Sequence, residues 1–292
     1  MGFLGTLKNL FSRKKSDLKK IDLKKRFELI ARTGQGSMSK VWRARDKDMG
    51  RIVCVKLLDK EKTAKFEARF VGIKKPREGA ICIGLRHKNI VQTLEYGITT
   101  KGEFYLEMEL IDGMGLNYLI ETKSPQLEGN RVLILMQITD ALEYLHKQGF
   151  LHRDICPRNV MVTRDNEVKL IDFGLTVPNR SEFQKPGNRT GTPNYLAPEL
   201  IRRVTTDLRV DMFALGVTAY EVYTGKLPWE KTESLQTLLS HMNSAGRDPL
   251  EITPSLDKTT ASFLRKAIER DPRLRYQDTA EFRDALKKLP KR

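Results

Sequence analysis

Apolar and polar residues alternate differently in the two parts of the chain. From Phe27 to about Met108, short β-rich runs stand out at Lys40–Arg45, Ile52–Leu58 and Phe104–Leu110, bounded by glycine. One helical candidate interrupts them, around residues 76–86. From about residue 113 the period lengthens. Arg131–Gln148 places Val132, Leu135, Met136, Thr139, Leu142 and Leu145 at helical spacing, and Gly149 ends it. Met212–Tyr223 is apolar nearly all round, which predicts a helix buried on every side. The pattern is that of an α+β chain with two lobes, a strand-rich one followed by a mainly helical one, and a cleft between them. No internal repeat or low-complexity tract is present.

Residues 1–25 stand apart from this pattern. Phe3, Leu4, Leu7, Leu10 and Phe11 fall at helical spacing, with Lys8 and Arg13–Lys15 elsewhere on the turn. That reads as a short basic amphipathic helix suited to an anionic membrane surface; the rival reading packs the segment on the protein's own lobes. Met1-Gly2 with Thr6 also fits the loose myristoylation pattern, with Phe3 an awkward neighbour. The apolar stretch is too short, and too broken by lysine, for a secretory signal.

Composition narrows the class. The 292 residues are 39% hydrophobic and 31% charged, as in a globular protein able to bury a core without disulfides or metal. Three cysteines without paired spacing point to a reducing, cytoplasmic setting, at most peripheral to the inner face of a membrane. The 53 Lys+Arg against 37 Asp+Glu leave a net charge of +16. Nine basic residues lie within the first 26, against Asp17 and Asp22. With no nucleic-acid motif and no aromatic residues among these charges, nucleic acid is not an expected partner.

Three motifs carry chemistry. Thr33-Gly34-Gln35-Gly36-Ser37-Met38-Ser39-Lys40-Val41 is a glycine turn between strands, whose backbone can approach a phosphate chain closely. Val53-Cys54-Val55-Lys56 closes an apolar strand with a lysine that, pointing inward, needs an anion. Either alone is a weak signal. The third decides the matter: His152-Arg153-Asp154 follows the long helix, Asn159 comes five residues later, and Asp172-Phe173-Gly174 thirteen beyond that. Asp154, Asn159 and Asp172 offer oxygens suited to hard magnesium ions and a hydroxyl nucleophile.

In this order the motifs resemble the eukaryotic-type protein kinase superfamily over roughly residues 27–288: GQGSMS, VCVK, HRDICPRN, DFG and GTPNYLAPE stand where that family has its successive signatures. The resemblance implies a compact, bacterial-like serine/threonine kinase that moves the γ-phosphoryl group of Mg-ATP onto protein substrates. It divides the chain into the segment 1–25, an N-lobe at 26–108, a hinge at 109–112 and a C-lobe at 113–292. It implies that Gly34 and Gly36 cover the phosphates, that Lys56 contacts them, and that Glu78 pairs with Lys56. Met108, Glu109 and Ile111 would form gatekeeper and hinge, with Val41 and Cys54 above the adenine and Met161 below. Asp154 would be the base, Asn159 and Asp172 the magnesium ligands, and Thr192 part of the substrate loop. Asp211, Glu199 and Arg275 would be structural, the last two as an ion pair, and Thr190 is the candidate phosphosite, since Asn188 stands where relatives carry theirs.

Three departures qualify the resemblance. Ser39 replaces the third glycine of the loop. Pro76 puts the start of the helix holding Glu78 immediately before that residue. Cys156 stands where the family has a lysine that touches the γ-phosphate, and Arg158 is the nearest substitute cation. These leave two alternatives open: a pseudokinase that binds nucleotide with little turnover, and a kinase-like enzyme acting on small molecules. The cysteines themselves (Cys54, Cys82, Cys156) read as small apolar residues.

Overall fold

A computed structural model describes residues 18–35, 39–70, 72–73, 75–185, 190–230 and 234–290. The Phe3–Phe11 pattern, Gly36 and Asn188 lie outside the described residues. The chain divides into two compact units, Met1–His87 with Val91–Ile111, and Lys88–Ile90 with Asp112–Arg292.

The first unit is built on a six-stranded sheet with strands β1 (Lys20–Ile21), β2 (Phe27–Gln35), β3 (Ser39–Asp46), β4 (Arg51–Leu58), β5 (Thr93–Thr99) and β6 (Phe104–Met108). Their order is β1-β5-β6-β4-β3-β2, all antiparallel except β1 beside β5. The β3–β4 hairpin turns at Lys47–Gly50 because Asp46 Oδ1 accepts the amides of Asp48 and Met49 at 2.9 and 3.1 Å, while Gly50 supplies a φ of +66°.

Register assigns the side chains to two faces. Val41 lies opposite Lys56, Lys56 opposite Leu106, and Cys54 opposite Met108, so these share one face. The other face carries Ala44, Val53, Val55 and Tyr105, which form a buried cluster with Ile21 and Phe27. That cluster corrects the outline drawn from pattern alone. Ile98 and Thr100 donate their amides to the carbonyls of Lys19 and Ile21 at 3.0 and 2.8 Å, so residues 18–26 belong to the sheet and its core. A four-residue helix, α1 (Leu23–Arg26), capped by Asp22, carries the chain from β1 to β2.

Charge fixes the same segment. Arg26 Nη2 meets Asp46 at 2.8 Å and Glu107 at 3.8 Å, its Nη1 meets Asp48, and Arg51 reaches Glu107 at 3.0 Å. Lys19 pairs with Glu95 at 2.8 Å, which also accepts the Tyr105 hydroxyl at 2.6 Å. Two further helices lie among its described residues, α2 (Lys60–Glu67) and α3 (Glu78–Cys82). The sequence predicts one helix over 76–86. The structure has α2, which pattern missed because its hydrophobic stripe is a single buried Phe66, and a shorter α3 that begins two residues after Pro76.

The second unit is mainly helical: α4 (Leu116–Glu121), α5 (Arg131–Lys147), α6 (Ser181–Gln184), α7 (Pro198–Ile201), α8 (Arg209–Thr224), α9 (Ser234–Asn243), α10 (Pro249–Ile252), α11 (Lys258–Ala267) and α12 (Thr279–Leu286). Short strands β7 (Gly113–Gly115), β8 (Phe150–Leu151), β9 (Val160–Thr163), β10 (Val168–Leu170) and β11 (Val177–Pro178) pair as β10-β9-β7 and β11-β8. As its composition predicts, α8 is the buried centre, with Val210 through Tyr220 all buried, and it ends on Gly225 at φ +68°. Lys88–Ile90 joins this unit through Asn89, whose side chain donates to Val168 O and Gln137 Oε1 at 2.9 and 2.8 Å. Among the described residues no helix is long and apolar enough to cross a membrane.

The docked segment yields a stability test. Ile21→Ala should lower the unfolding free energy in urea by about 2–3 kcal/mol, the usual cost of truncating a buried isoleucine. An unchanged midpoint would show that residues 18–26 contribute nothing to the core.

Candidate active site

In the second unit, the candidate residues sit on loops fixed by one buried carboxylate. Asp211, in the first turn of α8 and fully inaccessible, accepts the His152 amide at 2.8 Å, the Arg153 amide at 2.7 Å and His146 Nε2 at 2.9 Å. Burial alone would raise its pKa, but these hydrogen bonds and the histidines outweigh that and hold it below the usual carboxylate range. The amide it takes from Arg153 matters because Arg153 has φ +64°, a left-handed conformation that costs a branched-off side chain about 1 kcal/mol or more. The twist turns the next residue, Asp154, out of the core to a half-buried position.

Asp154 is held by both carboxylate oxygens. Thr192 donates to Oδ1 through its amide and its hydroxyl, each at 2.8 Å, and Asn159 Nδ2 donates to Oδ2 at 2.8 Å. The same Asn159 nitrogen donates to Asp154 O at 2.8 Å, which turns the amide oxygen of Asn159 away from that carboxylate. The Ile171 amide donates to Asn159 O at 3.0 Å, so the segment carrying Asp172 runs beside the loop carrying Asn159. Asp172 Oδ1 accepts the Gly174 amide at 2.9 Å. Gly191 comes so close to Arg153 O that a Cβ would sit 2.8 Å from it, and its φ is +138°; only glycine lets Thr192 reach Asp154. Met161 lies in β9, half-buried, in register with Gly115 and Lys169.

Cys156 is buried beside this network, its Sγ 4.0 Å from Thr192 Oγ1. Burial, reinforced by Asp154, pushes its thiol up to about 12, so it stays protonated and is no nucleophile. Cys54 behaves alike, pushed up to about 11 by burial. Arg158 is exposed on the 3₁₀ turn Pro157–Asn159. Arg153 donates Nη2 to Phe183 O at 2.5 Å, while its Nε and Nη1, and the hydroxyl of the buried Thr190, have no hydrogen-bond partner among the described residues.

In the first unit, Lys56 Nζ meets Glu78 Oε1 at 2.6 Å, both side chains buried. Glu78 is the first residue of α3, where the positive end of the helix dipole favours a carboxylate. Val41, Cys54, Lys56 and Met108 share a sheet face, and Gly34 pairs with Val41 at its edge. Past Met108, the Glu109 amide is already committed to Gln92 O at 3.0 Å, and Ile111 closes this unit.

Glu199 and Arg275 form a bidentate pair at 2.7 and 2.8 Å. Arg275 is fully buried and also donates to the carbonyls of Glu269, Arg270 and Arg209, with its guanidinium 4.7 Å from the Phe213 ring centroid. Two contributors escaped the sequence reading. His146 gives no signal beyond a polar residue late in an apolar helix. Tyr195, whose hydroxyl donates to Glu221 at 2.5 Å, reads as one more aromatic in the loop.

His152 yields a pH prediction. Its Nδ1 accepts the Asp154 amide at 3.2 Å, which requires a neutral ring, and burial lowers its pKa despite the neighbouring carboxylates. A group with a depressed folded pKa contributes stability above its unfolded value, near 6.5, that is lost as the pH falls below it. Unfolding free energy should therefore drop below pH 6.5 by up to about 1.4 kcal/mol per pH unit on account of this one group. His152→Phe should flatten that slope; an equal slope in both proteins would assign it elsewhere.

Comparison with known proteins agrees with this geometry. The family described as protein kinase domain matches residues 27–287. The "Probable serine/threonine-protein kinase" of Clostridium perfringens is 30% identical over 269 residues, which is 91% of this chain and 38% of that protein. One of the same description from Clostridium acetobutylicum is 32% identical over 266 residues, 90% of this chain and 40% of that protein. Serine/threonine-protein kinase PknB of Mycolicibacterium smegmatis is 32% identical over 276 residues, 90% of this chain and 43% of that protein. The chain thus spans about two-fifths of the length of these curated relatives. Two compact units, one sheet-based and one helical, with the motifs in their order and a match across nearly the whole sequence, make this chain a member of the protein kinase domain family.

Proposed function

We propose that this chain is a protein serine/threonine kinase that transfers the γ-phosphoryl group of ATP to hydroxyls of protein substrates. The observation that carries the reading is the setting of Asp154. Its Oδ1 already accepts two hydrogen bonds and its Oδ2 one, so Oδ2 retains a lone pair for the hydroxyl of an incoming serine or threonine. In this role Asp154 orients that hydroxyl and takes its proton. Thr192, bonded to the same carboxylate, ties the substrate loop to the base.

The donor set suits ATP with magnesium. Asn159, with its amide nitrogen fixed on Asp154, and Asp172 supply two oxygens; magnesium usually takes one or two protein ligands, with phosphates and water completing its shell. Held there, it would neutralise charge developing on the transferred phosphoryl group. Lys56, oriented by Glu78, would meet the nucleotide phosphates under Gly34 and Gly36, and Val41, Cys54, Met108, Glu109, Ile111 and Met161 would contact adenine. Cys156 offers no cation to the γ-phosphate, and the exposed Arg158 is the residue proposed to replace it.

The test is transfer of radiolabelled phosphate from ATP to a generic protein substrate. Asp154→Asn should abolish transfer while nucleotide binding, read as a thermal shift with Mg-ATP, persists. Asp172→Asn should reduce both. Transfer surviving in Asp154→Asn would overturn the assignment, and wild-type binding without transfer would favour the pseudokinase.

Two finer readings accompany this one. Thr190 is our candidate phosphosite, with the Arg153 nitrogens that have no partner among the described residues as the cation awaiting its phosphate. As packed, Thr190 is only 3% exposed, so the loop must open before it is modified. Mass spectrometry after incubation with ATP should find phosphate there, and Thr190→Ala should lower activity; full activity of the unphosphorylated variant would refute the site. The basic residues 1–20 are proposed to meet an anionic, inner membrane surface, although Lys19 already has a partner in Glu95.

A further inference from the structure

The second unit has a cavity of about 410 Å³ lined by Arg202, Arg270, Asp271, Pro272 and Arg273. Arg202 follows α7, and the other residues lie between α11 and α12. Arg202 Nη2 and Arg270 Nη1 donate to the same oxygen, Met242 O near the end of α9, at 2.8 and 3.3 Å. One neutral carbonyl thus gathers two guanidinium groups, each with five donors of which that oxygen occupies one. Like charges this close repel.

Among the described residues no carboxylate pairs with either of them. Asp271, the only acid lining the cavity, is gripped by Arg273 through Nε at 3.0 and 3.1 Å and through Nη2 at 2.6 Å. That grip holds the Asp271 carboxyl down at about 2. Three arginines against one aspartate leave a charge of +2 around the cavity, carried by the two arginines without an ion-pair partner among the described residues. Capping the carbonyl end of α9 would need one cation, not two.

We propose that this cavity binds a phosphorylated segment of a protein, with Arg202 and Arg270 forking the phosphate. A phosphomonoester carries about −1.5 to −2 charges at neutral pH and three acceptor oxygens, which match two converging guanidinium groups better than a single carboxylate does. The cavity is larger than a phosphate and has room for the residues beside it. The choice of ligand class rests on the proposed phosphotransfer, whose products are such segments; the arginine geometry does not.

Fluorescence anisotropy of a labelled ten-residue peptide, with phosphoserine, serine or glutamate at its centre, tests the site on the full chain without nucleotide. The phosphoserine peptide should bind at least about ten-fold tighter than the serine one, with glutamate between them, and the gap should narrow with salt. In the Arg202→Gln/Arg270→Gln double variant the gap should close. Equal binding of the three peptides to the wild type, or an undiminished gap in the double variant, would overturn the proposal; preference for glutamate would point to acidic segments and overturn it too. Because both arginines also hold Met242 O, melting temperatures are compared, and Arg202→Lys/Arg270→Lys serves if the glutamine variant does not fold. It keeps both charges without the fork, so discrimination should fall several-fold and not remain whole. No turnover enters the measurement, so a failed transfer assay with preserved discrimination would remove the kinase reading and leave the site standing.

Discussion

The geometry of the candidate catalytic segment depends on a buried negative charge. Asp211 sits in the most enclosed helix of the second unit, and both its oxygens face the loop between β8 and the 3₁₀ turn. A carboxylate so placed is costly unless both oxygens are answered, and here two backbone amides and an imidazole answer them. The return on that cost is conformational. The left-handed Arg153 is tolerated because its amide is fixed from the core, and that twist presents Asp154 to the surface. Thr192, Asn159 and, through Asn159, the segment of Asp172 are all arranged from Asp154 outward.

The first unit solves a different problem. A sheet must cover one face before it can offer the other to a ligand. Here the face opposite Lys56 is closed by Ile21 and Phe27 over Val53, Val55 and Tyr105, with the Arg26–Asp46–Glu107 charges at its margin. The lysine face is left to Val41, Cys54 and Met108, and Lys56 is buried together with Glu78, which pairs with it. Burial, with the neighbouring Asp46 and Glu95 carboxylates, raises the pKa of Glu107 on the opposite face, because Arg51 only partly compensates for the loss of water.

How much of this was legible depended on how local each signal was. The HRD, DFG and APE segments announce themselves by order and spacing, and the α8 helix by being apolar on every side. The pairing of Glu199 with Arg275 could be expected only through the family resemblance, since 76 residues separate them. What pattern could not reach was assembled from distant parts. Two residues of strand at Lys20–Ile21 leave no periodicity to detect, and they are recognisable only by their partner β5. The polar helix α2 has a single buried apolar residue. Arg202 and Arg270 look like ordinary surface charges until a third element brings them to one carbonyl oxygen.

The ion pair of Glu199 and Arg275 also sets a timetable for biosynthesis. A ribosome releases the chain from its N-terminal end, and domains generally fold in that order. Glu199 therefore emerges long before the arginine that neutralises it, and until then its buried position would hold an unanswered charge. The loop preceding it cannot settle on the nascent chain, because its last support lies 76 residues further along. A translation product truncated before Arg275 would carry the HRD, DFG and APE motifs and still lack the cation that answers Glu199.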